Sequence, residues 1–123
     1  VELKRTTPRP DVTVLAAEGE MDLYNAGEFK SAVDSIFSSG VSVAIVDFDQ
    51  LTYVDSSGIG AMLYAFSQSR ARGIDLCFAN ITGSVRRVVE LTSLTGFLPI
   101  AESVADAIAR LRPGQVTHRG GTT

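Results

Sequence analysis

The spacing of hydrophobic residues changes several times along the chain, and each change marks an element. Val12, Val14 and Ala16 alternate with Thr13, Leu15 and Ala17, the pattern of a strand with at least one buried face. Ahead of it, Glu2-Leu3-Lys4-Arg5-Thr6 is suited to pair as a hairpin partner, because Thr7-Pro8-Arg9-Pro10-Asp11 has turn chemistry. From Asn25 the period lengthens: Phe29, Ala32, Val33, Ile36 and Phe37 fall on one helical face, and Gly40 closes the segment. Residues 41–46 form a short apolar run rich in β-branched side chains, as in a strand buried on both faces. Ile59, Met62, Leu63 and Phe66 make a second helical stripe that ends near Gly73, and residues 74–79 read as the next strand. Val85, Val88, Val89 and Thr92 continue as a helix with Arg86, Arg87 and Glu90 turned outward. Phe97-Leu98-Pro99-Ile100 suits a short edge strand, where a proline is tolerated. A last helix is expected over residues 101–111 through Val104, Ile108 and Leu111.

Alternating strands and helices imply an α/β fold with right-handed crossovers between parallel strands. The expectation is a single domain over residues 1–111. It would hold a mixed, mostly parallel sheet of four to five strands flanked by about four helices. The polar, glycine-rich residues 112–123 are expected to be a disordered tail. In open α/β sheets, functional loops gather beyond the carboxyl ends of the parallel strands. Gly19-Glu20-Met21-Asp22, Asp55-Ser56-Ser57-Gly58 and Asn80-Ile81-Thr82-Gly83-Ser84 all occupy that position, so they should meet on one edge.

Composition narrows the function. The 123 residues are 45% hydrophobic and 20% charged, ordinary for a globular domain. A formal net charge of -3 argues against direct nucleic-acid binding, and no run approaches the length of a membrane span. No signal-peptide pattern opens the chain, although it begins at Val1 rather than Met, as a fragment or trimmed chain would. The single cysteine, Cys77, has no internal disulfide partner, which makes a reducing cytoplasm the expected compartment. Within Leu76-Cys77-Phe78 it reads as a small core residue rather than a reactive thiol.

Four chemistries compete for the loop edge. A serine-hydrolase triad requires a histidine base, and the only one, His118, lies in the expected tail; the G-x-S-x-G elbow is also missing. Asp22 and Asp55 could share a Mg²⁺, but the lysine such a phosphoryl site needs is absent, since the only lysines are Lys4 and Lys30. The S-S-G-I-G run lacks both glycine-rich phosphate-loop signatures. No metal or cofactor is therefore expected, and the chain is not expected to be an enzyme. The fourth chemistry is covalent. A serine just ahead of a helix N-terminus can carry a phosphate without unfolding the helix, because free N–H groups and the dipole favour an anion there. Gly58 and Gly60 would leave room for another protein to approach. The bland alternative is that Ser56 simply caps the helix, and spacing alone does not separate the two.

Three stretches carry a family resemblance. Gly19-Glu20-Met21-Asp22, residues 51–60 (L-T-Y-V-D-S-S-G-I-G) and residues 85–92 (V-R-R-V-V-E-L-T) resemble the STAS domain of sulfate transporters and anti-sigma factor antagonists. The likeness is to the small bacterial antagonists, which carry a G-E-L-D turn, a D-S-S-G phosphorylation motif and a V-R-R-x-x-E-L-T helix in this order. Similarity runs over roughly residues 10 to 111. The resemblance implies a cytoplasmic module that, when unphosphorylated, binds an anti-sigma factor that is also a serine kinase, and so frees a sigma factor. Phosphorylation of Ser56 would release it, and a serine phosphatase would restore it. Asp22 and Asp55 would be the acids beside the phosphoacceptor, and Ser57, Gly58, Ile59 and Thr82 would complete the partner-binding edge. Met21 stands where leucine is usual, and Ser93 where many relatives have glycine. Two rivals use the same fold: a scaffold or sensor component of a stress-signalling assembly, and a nucleotide-binding domain detached from an anion transporter.

Overall fold

The computed structural model describes residues 1–110, which build one sheet with helices on both faces. In chain order the elements are β1 (Glu2–Arg9), β2 (Val12–Met21), α1 (Ala26–Ser38), β3 (Val43–Asp47), β4 (Leu51–Val54), α2 (Ser56–Arg72), β5 (Asp75–Ala79), α3 (Gly83–Leu91), β6 (Ile100–Ala101) and α4 (Val104–Ala109). The sheet runs β1-β2-β3-β5-β6, with β4 attached to β2 outside that path. Only β1 is antiparallel to its neighbour; the pairs β2–β3, β2–β4, β3–β5 and β5–β6 are parallel. This is the mixed, mostly parallel α/β architecture expected, with four helices and six strands, rather than four to five, among the described residues. The expected tail and His118 lie outside the described residues.

The additional strand is β4. Its burial pattern is buried-exposed-exposed-buried, an i, i+3 spacing without strand alternation, so periodicity did not reveal a strand here. Its position follows from the length of β2. The first half of β2 pairs with β3, from Val12 opposite Val43 to Ala16 opposite Asp47. Beyond that, β2 pairs with β4 from Gly19 opposite Leu51 to Met21 opposite Val54, with a register shift between Gly19 and Glu20. Gly19 has φ +92°, a conformation that side chains disfavour, and this is where the strand changes partner. The detour carries Met21 and Asp22 directly to the start of α2.

Two cores sandwich the sheet. On one face Leu15, Ala17, Met21, Phe29, Val33, Ile36, Val46, Val54, Met62, Phe78 and Val89 pack beneath α1, α2 and α3. Phe48 stacks between Phe29 and Phe78, with ring centroids 6.4 and 5.8 Å away. On the other face Val12, Val14, Val43, Ile45, Ala79, Ala101 and Ala107 form a smaller cluster beside α4. Neighbouring residues of β2 and β3 therefore bury both of their faces, as the β-branched run of residues 41–46 implied. Burial of this kind contributes roughly 25 cal/mol per Å² of apolar surface. Leu63 and Phe66 are only half-buried beside α2's inner stripe of Ile59, Ala61, Met62 and Ala65, and Phe66 meets Phe97 edge-on at 5.3 Å.

Element ends depart from expectation by a few residues. β1 runs through Pro8, which an edge strand accepts because one side has no ladder to complete. β6 begins after Pro99 and spans two residues. α4 starts later than expected because Ser103 caps it, its Oγ accepting the Asp106 N–H at 3.0 Å. Ser93 has φ +61°, in the left-handed region that favours glycine, and α3 ends at Leu91 just before it. Cys77 is half-buried rather than fully enclosed, and burial pushes its thiol up from the ordinary range, partly opposed by Arg110. No helix of the described residues is long and apolar enough to cross a membrane.

Candidate functional site

The site is assembled where β2 and β4 end side by side. Asp55, the residue after β4, keeps an extended backbone (φ −107°, ψ −169°) and is the N-cap of α2. Its Oδ1 accepts the Ser57 N–H at 2.8 Å and the Gly58 N–H at 3.1 Å, which satisfies two of the helix's free donors. Its Oδ2 accepts the Leu23 N–H at 3.2 Å, and its own N–H donates to the Met21 carbonyl at 3.3 Å. One aspartate thus caps α2 and fastens the loop that follows β2.

That loop is also internally braced. Asp22 Oδ1 accepts the Tyr24 N–H at 3.0 Å, and the Asp22 carbonyl accepts from Asn25 and Ala26 at 3.2 and 2.9 Å. The Asn25 side chain bridges backward, accepting the Asp22 N–H at 2.9 Å and donating to the Glu20 carbonyl at 2.9 Å. Asp and Asn suit such turns because their short side chains bond nearby backbone groups.

Ser56 is the first residue of α2 and is exposed. Capping is done by Asp55, and none of the described hydrogen bonds uses the Ser56 hydroxyl. The alternative in which Ser56 simply caps the helix does not hold: the residue that keeps the extended conformation is the cap, and that is Asp55. Ser57 is half-buried, with its N–H held by Asp55.

Two expected edge residues face inward. Gly58 is buried, and a Cβ added there would collide with Val54 Cγ2 and lie 2.7 Å from the Met21 carbonyl oxygen. Its missing side chain lets α2 close onto β2 and β4, and so does not make room for another protein. Ile59 is 7% exposed and belongs to the core. Gly60, in contrast, is exposed, with open space where a Cβ would go.

The third loop stands apart. Thr82 precedes α3 without a side-chain cap bond, and it lines a cavity of about 340 Å³ with Gly83, Arg86, Ala101 and Glu102. Its loop reaches the other two through Ser84, whose Oγ donates to the Thr52 carbonyl of β4 at 2.8 Å. The structure therefore joins Asp22, Asp55, Ser56 and Ser57 tightly and links Thr82 only through its neighbours.

Sequence reasoning passed over three residues beside Ser56. Leu23 is 69% exposed, Tyr24 91% and Tyr53 46%. Leu23 and Tyr24 lie in the loop before α1, where an apolar pair carries no periodicity, so pattern reading offered no signal for them. Tyr53 sits on β4 opposite Glu20.

Known proteins are similar to this chain in sequence and in fold. The anti-sigma-B factor antagonist of Listeria monocytogenes is 30% identical over 101 residues, covering 81% of this chain and 86% of the relative. Among solved structures, protein TM1081 of Thermotoga maritima matches with TM-score 0.81 at 20% identity, over 90% of this chain and 95% of that one. The anti-sigma factor antagonist SpoIIAA matches in its unphosphorylated form with TM-score 0.69 at 20% identity, covering 89% and 96% of the two chains. Its phosphorylated form, from Bacillus, gives the same TM-score at 21% identity over 90% and 100%. At these identities the solved structures speak for the fold. A family model described as the STAS domain spans residues 4–107, almost all of the described chain, and so the chain belongs to the STAS domain family.

Proposed function

We propose that this chain is an anti-sigma factor antagonist controlled at Ser56. In its unphosphorylated form it binds an anti-sigma factor that is also a serine kinase, and a sigma factor is freed. Transfer of the ATP γ-phosphoryl group to the Ser56 hydroxyl weakens the complex, and a serine phosphatase removes the phosphate by hydrolysis. The chain is the substrate in this cycle and catalyses nothing, and it works in the cytoplasm without contacting nucleic acid or membrane. Asp22, Asp55, Ser56, Ser57 and Thr82 contribute to the partner-facing edge, while Gly58 and Ile59 support it from beneath.

The observation that carries this reading is the division of labour at the start of α2. Asp55 does the capping, which leaves Ser56 exposed with a hydroxyl that no described bond engages. A purely structural serine at a helix start would accept a backbone N–H. A phosphate on this residue adds about −1.5 to −2 charge beside a helix N-terminus that tolerates anions, so it alters the surface without melting the helix. The named antagonist from Listeria monocytogenes supports the same class of partner.

The test is a titration of the partner kinase into wild-type, Ser56→Ala and Ser56→Asp proteins, with mass spectrometry of the ATP-treated complex. Phosphate should appear on Ser56 in preference to Ser57, Ser56→Ala should bind as wild type does, and Ser56→Asp should bind more weakly. Undiminished binding of Ser56→Asp, with no phosphate on Ser56, would remove the switch.

A further inference from the structure

The loop that Asp55 fastens presents large apolar side chains to water. Leu23 is 69% exposed and Tyr24 91%, in a protein whose other loop into a helix at this edge buries its apolar residue, Ile81. Apolar groups exposed together beside a candidate interaction site are characteristic of docking surfaces. The backbone beneath them is well held. Tyr24 N–H is bonded to Asp22 Oδ1, Asn25 closes the turn from both sides, and Leu23 N–H is bonded to Asp55 Oδ2. A preorganised apolar pair loses little entropy on docking, and tyrosine is among the residues that most often dominate binding energy.

We infer that Leu23 and Tyr24 form the apolar anchor of the docking surface around Ser56, filling an apolar socket on the protein that binds there. This rests on the reading of the chain as an anti-sigma factor antagonist and identifies which of its residues hold the partner. Continuity carries the inference. The Leu23 N–H lies 3.2 Å from the carboxylate of the residue immediately before Ser56. A protein interface covers on the order of 800 Å² per partner, so a partner seated on Ser56 covers this pair as well. Tyr53, exposed on β4 three residues before Ser56 and paired opposite Glu20, is a further exposed aromatic side chain on the strand that leads to the site. The other exposed apolar residues lie elsewhere: Leu91 ends α3, and Phe97 rests against Phe66. The charged switch and the apolar anchor are thus adjacent but separate, one setting when binding occurs and the other supplying much of its strength.

The test uses full-length protein and begins by copurification from source cells, the partner being the anti-sigma factor that wild type retains and purified for titration. Tyr24→Ala should weaken its binding roughly tenfold or more and Leu23→Ala severalfold, while Tyr24→Phe stays near wild type. Thermal melts of all three should match wild type, because both side chains stand in solvent. If Ser56→Asp weakens the complex while Tyr24→Ala and Leu23→Ala change it less than twofold, the anchor is overturned and the Ser56 reading stands. Loss of binding in the two alanine variants, with Ser56→Asp unaffected, would sustain the anchor and remove the switch. If sedimentation instead shows a dimer that Leu23→Ala dissociates, the pair serves self-association and the inference fails. It fails equally if wild type retains no anti-sigma factor.

Discussion

Asp55 shows how much one side chain decides. Its carboxylate takes two N–H groups of α2 with one oxygen and the Leu23 N–H with the other. Removing it leaves helix donors unpaired and releases the loop that presents Leu23 and Tyr24. Loss of an N-cap typically costs about 0.5–2 kcal/mol, and Asp55→Ala should fall in the upper part of that range because a third bond is lost as well. Ser56→Ala should change stability by less than about 0.5 kcal/mol, as expected of a surface position without a structural role. Urea melts of the two variants check this directly, and equal losses would mean that Ser56 shares the capping. Sequence alone could not assign these roles, because aspartate and serine are both preferred caps. The assignment turns on which of two adjacent residues keeps the extended backbone, and that is fixed by where β4 ends, which hydrophobic periodicity did not reveal.

At the scale of elements, α2 is positioned by the absence of a side chain. Gly58 lies so close to Val54 and the Met21 carbonyl that a Cβ must displace backbone, and overpacking of this sort costs about 1–3 kcal/mol. Gly58→Ala should therefore destabilise the protein by that amount, and Ser56 should shift with the helix. Two residues on, Gly60 has open space around it, and replacing a helical glycine by alanine contributes roughly 0.5–1 kcal/mol. Gly60→Ala should therefore raise the melting temperature. If binding also falls in that variant, the bare backbone at Gly60 is a place where a partner approaches. The sequence made these two glycines look equivalent, although one is a packing contact and the other an open surface. The longer periodic segments were easier to read. α1 appears where Phe29, Val33, Ile36 and Phe37 share a face, and α2 ends at Gly73, whose left-handed backbone closes the helix. The Asp-Ser-Ser-Gly stretch was correctly placed between a strand and a helix, but the exposed Leu23 and Tyr24 were invisible to pattern reading, because an apolar pair in a loop carries no periodicity.

On the scale of the whole molecule, the acidic residues near Ser56 explain how a phosphate could act without a large change of shape. Lys30 is the only basic residue between Pro10 and Ser69, whereas Glu20 lies near the end of β2, Asp22 directly after that strand and Asp55 directly after β4. In the free protein, water screens a phosphate on Ser56 from these carboxylates. Two unit charges about 6 Å apart repel by only ~0.7 kcal/mol at a dielectric of about 80. Docking expels that water, and at an effective dielectric of about 20 the same pair repels by ~2.8 kcal/mol. The difference of about 2 kcal/mol arises only in the complex and weakens binding roughly thirtyfold per unit charge, since each ~1.4 kcal/mol is tenfold. The phosphorylated protein should therefore keep its circular dichroism spectrum while losing its partner, and Ser56→Asp should show a smaller loss. The same argument predicts a rescue. Asp55→Asn removes the nearest carboxylate and keeps a side chain that caps helices well. Combined with Ser56→Asp, it should recover part of the lost affinity, at a cost in stability of about 1 kcal/mol because the amide NH2 cannot accept the Leu23 N–H. Titration calorimetry on the single and double variants measures the coupling. If the double variant binds no better than Ser56→Asp alone, repulsion within this acidic edge is not what releases the partner, and direct obstruction by the group on Ser56 takes its place.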